Sequence, residues 1–388
     1  MVKWDKVQVM MRGLRRRLML KRTKLTSEKR KNRRRLTGIS AVILIAVVII
    51  VILSNLGNDE ELVSADPINT NDELIEEVKN EEEKEEVIPV EPIKPFSFPL
   101  TGMGSDVEVR TRPMMYMVEN QAKARPQDGL HLADIVFEIL AEGEITRFIA
   151  VYQSQEAEVI GPVRSIRPYF VQLGHGLDAL VVHAGWSQEA MNMIVAKKVA
   201  HFDEVYGDGA YYWRDKSRKA PHNLYSSTEL IRTGALKKKF REEWTGTPLT
   251  FYPTNETPII TGQPAASITI PYIQGYTVSY EYDAINSQYI RTMAGELHKD
   301  KTTGTQLTAK NIIVAFSKHK VLDNAGRRDV DVIGPGEGYI IQEGQLRHIT
   351  WENKEGIIRS YIDGQEVELL PGQTWIHVVP LGSKVEYQ

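Results

Sequence analysis

The sequence contains no cysteine among its 388 residues. This absence excludes disulfide bonds, catalysis by a thiolate, cysteine-ligated metals and attachment of a lipid to a cysteine. A chain of this length can nevertheless fold through its hydrophobic cores alone. No His-Glu-x-x-His or comparable spacing is present, and no cofactor fingerprint is complete, so we expect neither a metal nor a cofactor.

The net charge of -3 conceals two strongly charged segments. Residues 1–35 contain 15 Lys or Arg and two acidic residues, which gives a charge of about +13. Residues 58–95 contain 14 Asp or Glu and three Lys, which gives about -11. Because a typical domain has roughly 100 to 200 residues, the remaining chain has room for two folded units.

An apolar segment without any charge covers residues 36–53. Eighteen residues at about 1.5 Å each form a helix of roughly 27 Å, which is just enough to span a hydrocarbon layer. A cleaved signal peptide usually has an apolar region of only about 7 to 15 residues and a small-residue cleavage site close behind it. We therefore predict an uncleaved transmembrane helix over residues 36–53.

The basic residues before this segment predict its orientation, because Lys and Arg stay on the cytoplasmic side of a membrane. Residues 1–35 would be a basic cytoplasmic tail, and the folded part would lie outside the cell, as in a single-pass type II protein. The tail either lies on anionic lipid as an amphipathic helix or is a solvated topogenic segment. We do not expect nucleic acid as its partner.

Residues 54–96 are acidic, contain four prolines and have no aromatic residue before Phe96. Such a segment cannot bury enough apolar surface to offset its ordering entropy. We predict a disordered, extended linker that holds the folded part away from the membrane.

Residues 97–252 combine strand and helix patterns. Strand composition covers residues 113–119, 134–141, 145–152 and 179–183, and the second and third of these form a hairpin pattern, although a helix over 132–141 has a similar periodicity. A helix is predicted over 187–198, and a capping box at Ser226 to Glu229 predicts another to about Arg241. The fold class expected here is a mixed α/β ectodomain.

Residues 255–388 have mainly strand patterns. Val278, Tyr280 and Tyr282 alternate with polar residues, and Asp363-Gly364 is a tight hairpin turn. Turn residues recur about every ten positions, which is typical of a small β-rich barrel or sandwich.

Two arginines lie close to a predicted helix start in residues 161–168, with Ser165 as its expected N-cap. A cation near a helix N-terminus is unfavourable by about 0.3 to 1 kcal/mol, so we expect a compensating anion. That anion is either an internal carboxylate, from Glu138, Glu142 or Asp215, or a bound phosphate or carboxylate. The predicted ligand-binding residues are Arg164, Ser165, Arg167, Arg214, His222 and Asn223.

Two histidines and three carboxylates are candidate catalytic residues. His183 ends an apolar strand, at the edge where α/β sheets bind ligands, and a loop His222 facing it would make an acid/base pair or supply two metal ligands. The alternative is that both histidines are structural. Paired carboxylates hydrolyse glycosidic bonds only at suitable separations, and the aromatic run 211–213 either stacks on a sugar or belongs to the core. The candidates are His183, His222, Asp215, Glu138 and Glu142.

Short motifs in a fixed order support a family resemblance over roughly residues 98–388. They lie at residues 112–113, 124–130, 133–138, 142–143, 145–148, 161–168, 183–185, 213–215, 221–225, 334–339 and 370–376. On these motifs the chain resembles the YerB-like family, extracytoplasmic proteins of Gram-positive bacteria without an assigned function. The resemblance implies two domains outside the cell. Members are typically lipoproteins, but this chain has no cysteine to lipidate, so the transmembrane segment would replace the lipid.

These observations favour a membrane-anchored protein of the cell envelope that binds or scaffolds an anionic or glycan ligand such as peptidoglycan. One alternative is a cell-wall hydrolase that uses a His/Asp or paired-Glu site. Another is an accessory protein that acts only through contacts with other envelope proteins. We favour the non-enzymatic function, with the membrane and a cell-wall ligand as partners.

Overall fold

The computed structural model describes residues 94–254, 258–273 and 276–388. The predicted tail, the predicted helix over 36–53 and all but the last three residues of the predicted linker lie outside these ranges. Within the described residues, no helix is both long and apolar enough to cross a bilayer. All described residues belong to one compact unit.

The described residues up to 254 contain nine strands and three α-helices. The strands are β1 (Phe96–Ser97), β2 (Gly104–Ser105), β3 (Met114–Glu119), β4 (Ile135–Glu142), β5 (Ile145–Tyr152), β6 (Leu180–His183), β7 (His201–Asp203), β8 (Trp213–Arg214) and β9 (Leu224–Tyr225). The helices are α1 (Pro168–Gly176), α2 (Gln188–Lys197) and α3 (Thr228–Lys237). Short 3-10 helices cover Ala122–Ala124, Leu130–Leu132 and Gly209–Tyr211.

The described residues after 257 contain strands and no α-helix. The strands are β10 (Gln263–Pro264), β11 (Ser267–Ile273), β12 (Tyr276–Asp283), β13 (Gln288–Met293), β14 (Glu296–Leu297), β15 (Thr308–Ala309), β16 (Asn311–Ser317), β17 (His319–Val321), β18 (Arg328–Val330), β19 (Gly336–Gln342), β20 (Gln345–Lys354), β21 (Ile357–Ile362), β22 (Gln365–Glu366), β23 (Thr374–Pro380) and β24 (Glu386–Tyr387).

Twelve of these strands form one mixed sheet. Its order is β22-β21-β20-β19-β16-β23-β4-β5-β3-β6-β7, and β10 pairs with β20. The predicted hairpin is present as the antiparallel pair β4 and β5, so residues 132–141 do not form the alternative helix. Strand β23 lies between β16 and β4 and is parallel to both. Strands from both predicted domains therefore belong to the same sheet.

A second, six-stranded sheet has the order β14-β13-β12-β11-β24, with β15 paired to β13. Every second residue of β11 is buried, so this sheet has one inward face. Within the described residues neither large sheet closes on itself. The expectation of a β-rich architecture is confirmed, but the barrel alternative is wrong, because the β strands of the second half complete a sheet with the first half instead of closing on each other.

Two hydrophobic cores lie on opposite faces of the twelve-stranded sheet. Val136 and Leu140 of β4 contribute to one core, and Phe137 and Ile139 contribute to the other. The first core is covered by the six-stranded sheet and α3, and the second by α1 and α2. A strand buried on both faces is expected to be apolar throughout, as β4 is except for Glu138 and its half-buried last residue, Glu142.

The helix starts agree with the sequence to within one residue in two of three cases, although the N-cap of α3 is one residue later than Ser226, the first residue of the predicted capping box. Ser187 and Ser227 are the N-caps of α2 and α3, and each hydroxyl accepts a backbone N–H. Helix α3 ends at Lys237, earlier than expected. The prediction for α1 is wrong, because its N-cap is Arg167 and not Ser165, whose hydroxyl instead donates to the carbonyl of Ala184 at 2.9 Å.

A buried carboxyl at the start of β4 predicts a pH effect on stability. The Oδ2 atom of Asp134 accepts the backbone N–H groups of Gln153 at 2.6 Å and Ser154 at 3.0 Å, and burial raises the pKa of this carboxyl to about 6. The folded pKa exceeds the unfolded value of about 3.9, so stability present below pH 4 is lost as the pH rises through 6, by at most about 3 kcal/mol.

Asp134→Asn should remove this pH-dependent part of the stability, because an amide does not titrate. The local structure should be kept, since the amide oxygen still accepts both N–H groups. Urea unfolding at pH 4 and pH 7 measures the pH-dependent part as the difference in pH dependence between the variant and the unmodified protein. The same pH dependence in both proteins would show that folding does not raise the pKa of the Asp134 carboxyl.

Candidate functional site

Three parallel strands end at one edge of the large sheet. Their last residues are Glu119 of β3, His183 of β6 and Asp203 of β7. We call this edge, with the adjoining segments 161–167, 184–187, 204–206 and 213–223, the carboxyl edge. In open α/β sheets, ligands bind outside the carboxyl ends of the strands. The carboxyl edge is therefore a candidate binding surface.

Glu119 is the central carboxylate of the carboxyl edge and was not singled out from the sequence. It is 3% exposed. Its Oε1 atom lies 3.3 Å from Nε of Arg164, and the Nδ1 atom of His222 lies 3.0 Å from both oxygens. Since a carboxylate only accepts hydrogen bonds, Nδ1 of His222 carries the proton. The structure thus brings two of the predicted residues, Arg164 and His222, to one buried acid.

A second carboxylate, Glu142 at the β4–β5 turn, is shared by two arginines. Its Oε2 atom accepts from Nη2 of Arg147 at 2.9 Å, and its Oε1 atom pairs with Arg167. Arg147 also donates to the backbone carbonyl of Ser165 at 2.6 Å, which fixes the segment before α1. Glu142 was one of the three internal carboxylates considered for these arginines, whereas Arg164 uses Glu119, which was not among them.

The three arginines and two carboxylates leave one positive charge in excess. Burial lowers the pKa of Arg147, Arg164 and Arg167, which shows that their charges are poorly hydrated. Their Nε atoms are buried and have no hydrogen-bond partner among the described residues. Arg164 is the most exposed of the three side chains, at 29% against 4% and 14%. It is the arginine that an external anion can reach.

Arg214 and Asn223 lie on the outer part of the carboxyl edge. Arg214 is 46% exposed and donates to Glu204 at 3.0 Å and to the side chain of Asn223 at 3.2 Å. Asn223 in turn donates to the backbone carbonyl of Asp215 at 3.0 Å. The Asp215 carboxylate binds Nζ of Lys301 at 2.5 Å, and this hydrogen bond lowers its pKa. Asp215 therefore pairs with a lysine of the second half and not with an arginine of the motif.

His183 lies at the predicted strand end but has no exposed surface. Its Nδ1 atom is 3.0 Å from the carbonyl of Gly185, and its Nε2 atom is 3.1 Å from Nδ1 of His201. Burial lowers the pKa of His183 to about 3, so the ring is neutral at physiological pH. His222 binds Glu119 instead of facing His183. The acid/base pair considered from the sequence is not formed.

Glu138 is fully buried on the side of the six-stranded sheet. It accepts hydrogen bonds from Tyr276 at 2.6 Å and Thr146 at 2.8 Å, and Nη2 of Arg291 lies 2.7 Å away. The partner of Glu142, Arg167, caps α1 on the opposite face of the sheet. The two carboxylates therefore do not flank a common cleft, as a paired-Glu hydrolase would require.

The aromatic run 211–213 braces the carboxyl edge from inside. The hydroxyl of Tyr212 donates to the carbonyls of His183 at 3.1 Å and Phe202 at 3.0 Å. Trp213 stacks on Tyr225 with ring centroids 6.2 Å apart. This run is mainly part of the core, which agrees with the second of the two interpretations from the sequence.

Two cavities of the described part lie away from the carboxyl edge. One, of about 620 Å³, is lined by residues between 94 and 109 and between 248 and 254. The other, of about 630 Å³, lies at the opposite ends of β6 and β7 and contains Lys197, Lys198 and Lys239. Lys197 is the last residue of α2, and Lys198 and Lys239 lie just after the C-termini of α2 and α3, where cations stabilise a helix. In the part of the chain that the structure describes, no three potential ligand side chains cluster for a metal ion.

Comparison with known proteins adds a family to this geometry. Residues 100–241 match the family described as the N-terminal domain of a protein of unknown function (DUF3048), and residues 268–376 match the corresponding C-terminal domain. YerB of Bacillus subtilis (strain 168), by name a candidate lipoprotein, is 36% identical over 291 residues, which are 74% of this chain and 87% of the relative. A crystal structure of YerB superposes with a TM-score of 0.69 and 35% identity, and it covers 75% of this chain and 99% of the crystallised chain.

Proposed function

Because the chain belongs to the YerB-like family, whose paired domains have no assigned activity, we propose that it is an extracytoplasmic protein that binds an anionic ligand at the carboxyl edge. Its relative YerB is named as a candidate lipoprotein, and this name supports a location on the outer face of the cell membrane. This chain has no cysteine for a lipid, so the segment 36–53 would be the anchor. The folded part would then project from a tether toward the cell wall.

The observation that carries this proposal is the incomplete charge pairing of the Arg164 side chain. This side chain is 29% exposed, and among the described residues its carboxylate partner is Glu119, which it shares with His222. Hydrogen bonds between a guanidinium group and a carboxylate or phosphate are about twice as strong as neutral ones. An external anion on the exposed part of Arg164 would neutralise the excess charge of the arginine group.

A binding function fits the arrangement better than hydrolysis does. Of the candidate catalytic residues, His183 and Glu138 are buried, and Asp215 is engaged by a lysine. His222 and Glu142 each bind a different partner, Glu119 in one case and two arginines in the other. Each of the five candidates is therefore either buried or already paired with a neighbouring side chain.

The test uses residues 94–388, which are expected to fold alone because every described element lies in one compact unit and the crystallised YerB chain corresponds to this part. Arg164→Gln should weaken sedimentation with purified cell wall at least tenfold, since the anion loses its cation. Arg232→Gln is the matched control, because Arg232 is 30% exposed and paired with Glu156 on a remote surface. Equal binding by both variants would contradict the proposal.

A further inference from the structure

An exposed aromatic stack lies on the carboxyl edge and was not singled out from the sequence. The rings of Trp186 and Tyr206 have centroids 5.0 Å apart and an interplanar angle of 29°. Tyr206 is 65% exposed, and its neighbour Val205 is 54% exposed, while Trp186 packs against the core under α1 and α2. The stack is therefore an apolar surface that is open to solvent and supported from below.

The two loops that carry the stack are tied together by Asp203. Its Oδ1 atom accepts the backbone N–H of Gly185 at 2.8 Å, before Trp186, and the N–H of Val205 at 3.1 Å, before Tyr206. The backbone N–H of Asp203 donates to the side chain of Asp208 at 2.9 Å. An aromatic surface fixed in this way loses little conformational entropy when a ligand binds.

The backbone also connects the stack to the arginine segment. The N–H of Ile166 donates to the carbonyl of Gly185 at 3.1 Å, and the N–H of Ala184 donates to the carbonyl of Arg164 at 3.0 Å. Ile166 and Trp186 form a parallel bridge. Alternate residues of an extended segment point to the same side, so Arg164 and Ile166 share a side, next to Trp186. The backbone register therefore places the Arg164 side chain on the side of this segment that carries the aromatic stack.

This combination identifies the chemistry of the ligand. The C–H face of a pyranose ring stacks on an aromatic ring, and a carboxylate or phosphate on the sugar would reach the guanidinium group of Arg164. A bare anion would use Arg164 and leave the aromatic surface uncovered. We propose that the ligand is a glycan whose pyranose rings carry anionic groups, an inference that rests on the proposed anion site. One ring would lie on Tyr206 and Trp186, and its anionic group would lie on Arg164.

The experiment titrates residues 94–388 with three probes. The first is peptide-free peptidoglycan strands, whose pyranose rings carry lactyl carboxylates. The second is the same strands with these carboxylates converted to amides, and the third is inorganic phosphate. We expect at least tenfold tighter binding of the carboxylated strands than of the amidated strands. Calorimetry measures the binding of the strands, and NMR titration measures the binding of phosphate.

Two variants separate the glycan inference from the anion site. Tyr206→Ala should weaken carboxylated strands about tenfold and leave phosphate binding unchanged, whereas Arg164→Gln should weaken both. Tyr387→Ala is the control, because Tyr387 is 37% exposed and contacts Tyr339. These residues lie on β24 and β19, which are not part of the carboxyl edge. Truncation of either exposed tyrosine should leave the melting temperature nearly unchanged.

Each outcome has one meaning. Unchanged strand binding by Tyr206→Ala, or equal binding of carboxylated and amidated strands, would overturn the glycan inference while the loss of phosphate in Arg164→Gln still supports the anion site. Unchanged binding of all probes by Arg164→Gln would overturn both. Binding of phosphate without any binding of strands would also overturn the glycan inference.

Discussion

Replacing Arg291 with methionine is expected to lower the free energy of unfolding by about 3 to 5 kcal/mol, because removing one member of a buried ion pair leaves the other charge uncompensated. Arg291 and Glu138 have no exposed surface, and their Nη2 and Oε2 atoms are 2.7 Å apart. The guanidinium group also donates to Tyr280 at 2.7 Å and lies 4.2 Å from the ring centroid of Trp375. Urea unfolding followed by circular dichroism measures the loss.

The control is the double variant Glu138→Gln with Arg291→Met, in which neither member of this buried ion pair carries a charge. It should recover at least half of the lost stability, because the amide oxygen still accepts from Tyr276 and Thr146. If the single and double variants are equally unstable, packing around Arg291 and not the ion pair dominates. If the single variant loses less than about 1 kcal/mol, the buried pair is not a determinant of stability.

The same ion pair defines the role of Glu138. Glu138 lies on β4 in the twelve-stranded sheet, and Arg291 lies on β13 in the six-stranded sheet. The pair therefore links the two sheets, and also the two halves that the sequence predicts as separate domains. A carboxylate that the sequence offers as a catalytic candidate is, in this geometry, a buried connection between layers.

Gly356→Ala is expected to destabilise the protein by about 2 to 5 kcal/mol, which combines overpacking with a left-handed backbone conformation. Gly356 follows β20 and has a φ of +80°. A Cβ atom there would overlap the backbone N of Leu177 and the backbone O of Leu173, which are hydrogen-bonded to each other at 2.9 Å at the end of α1. Neither backbone atom can move without breaking that turn.

Gly364→Ala provides a matched control for the backbone conformation. Gly364 has a φ of +78°, and within the described ranges no heavy atom beyond its chain neighbours lies within 4 Å of a Cβ built there. This variant should cost only about 1 to 2 kcal/mol. The difference between the two variants, measured by denaturant unfolding, gives the contribution of the contact between α1 and the β20–β21 turn. Equal losses would contradict the close approach.

Local patterns explain what could be predicted from the sequence. The strand over residues 113–119, the hairpin of β4 and β5 and the helix over 187–198 all have their own hydrophobic period or caps, and each is present within one or two residues. The single large sheet could not be predicted, because β23 pairs with β4 across more than 200 residues and periodicity contains no information about such partners.

Residues of the candidate site were predicted from the sequence only where they belong to short polar motifs. Arg164, Arg167, Arg214 and His222 stand in short polar motifs, and the structure places all four along the carboxyl edge. Glu119 and the two other missed contributors, Arg147 and Tyr206, gave a weaker signal. Glu119 and Arg147 belong to apolar strands, where a charge is informative only if the facing element is known. His183 is covered by later segments of the chain, because its ring stacks on His201 and its backbone carbonyl accepts a hydrogen bond from Tyr212.

The insertion of β23 between β16 and β4 has a consequence for how the chain reaches its native state. Strand β4, one of the two partners of β23, ends at residue 142. The backbone groups of β4 that pair with β23 stay unpaired until residues 374–380 are available. A chain emerging from the ribosome or a translocon therefore presents an unpaired, apolar strand edge until nearly all residues up to 380 have been delivered. Pairing across this separation requires late loop closure, so maturation of the fold should follow the delivery of residues 374–380 and be slow.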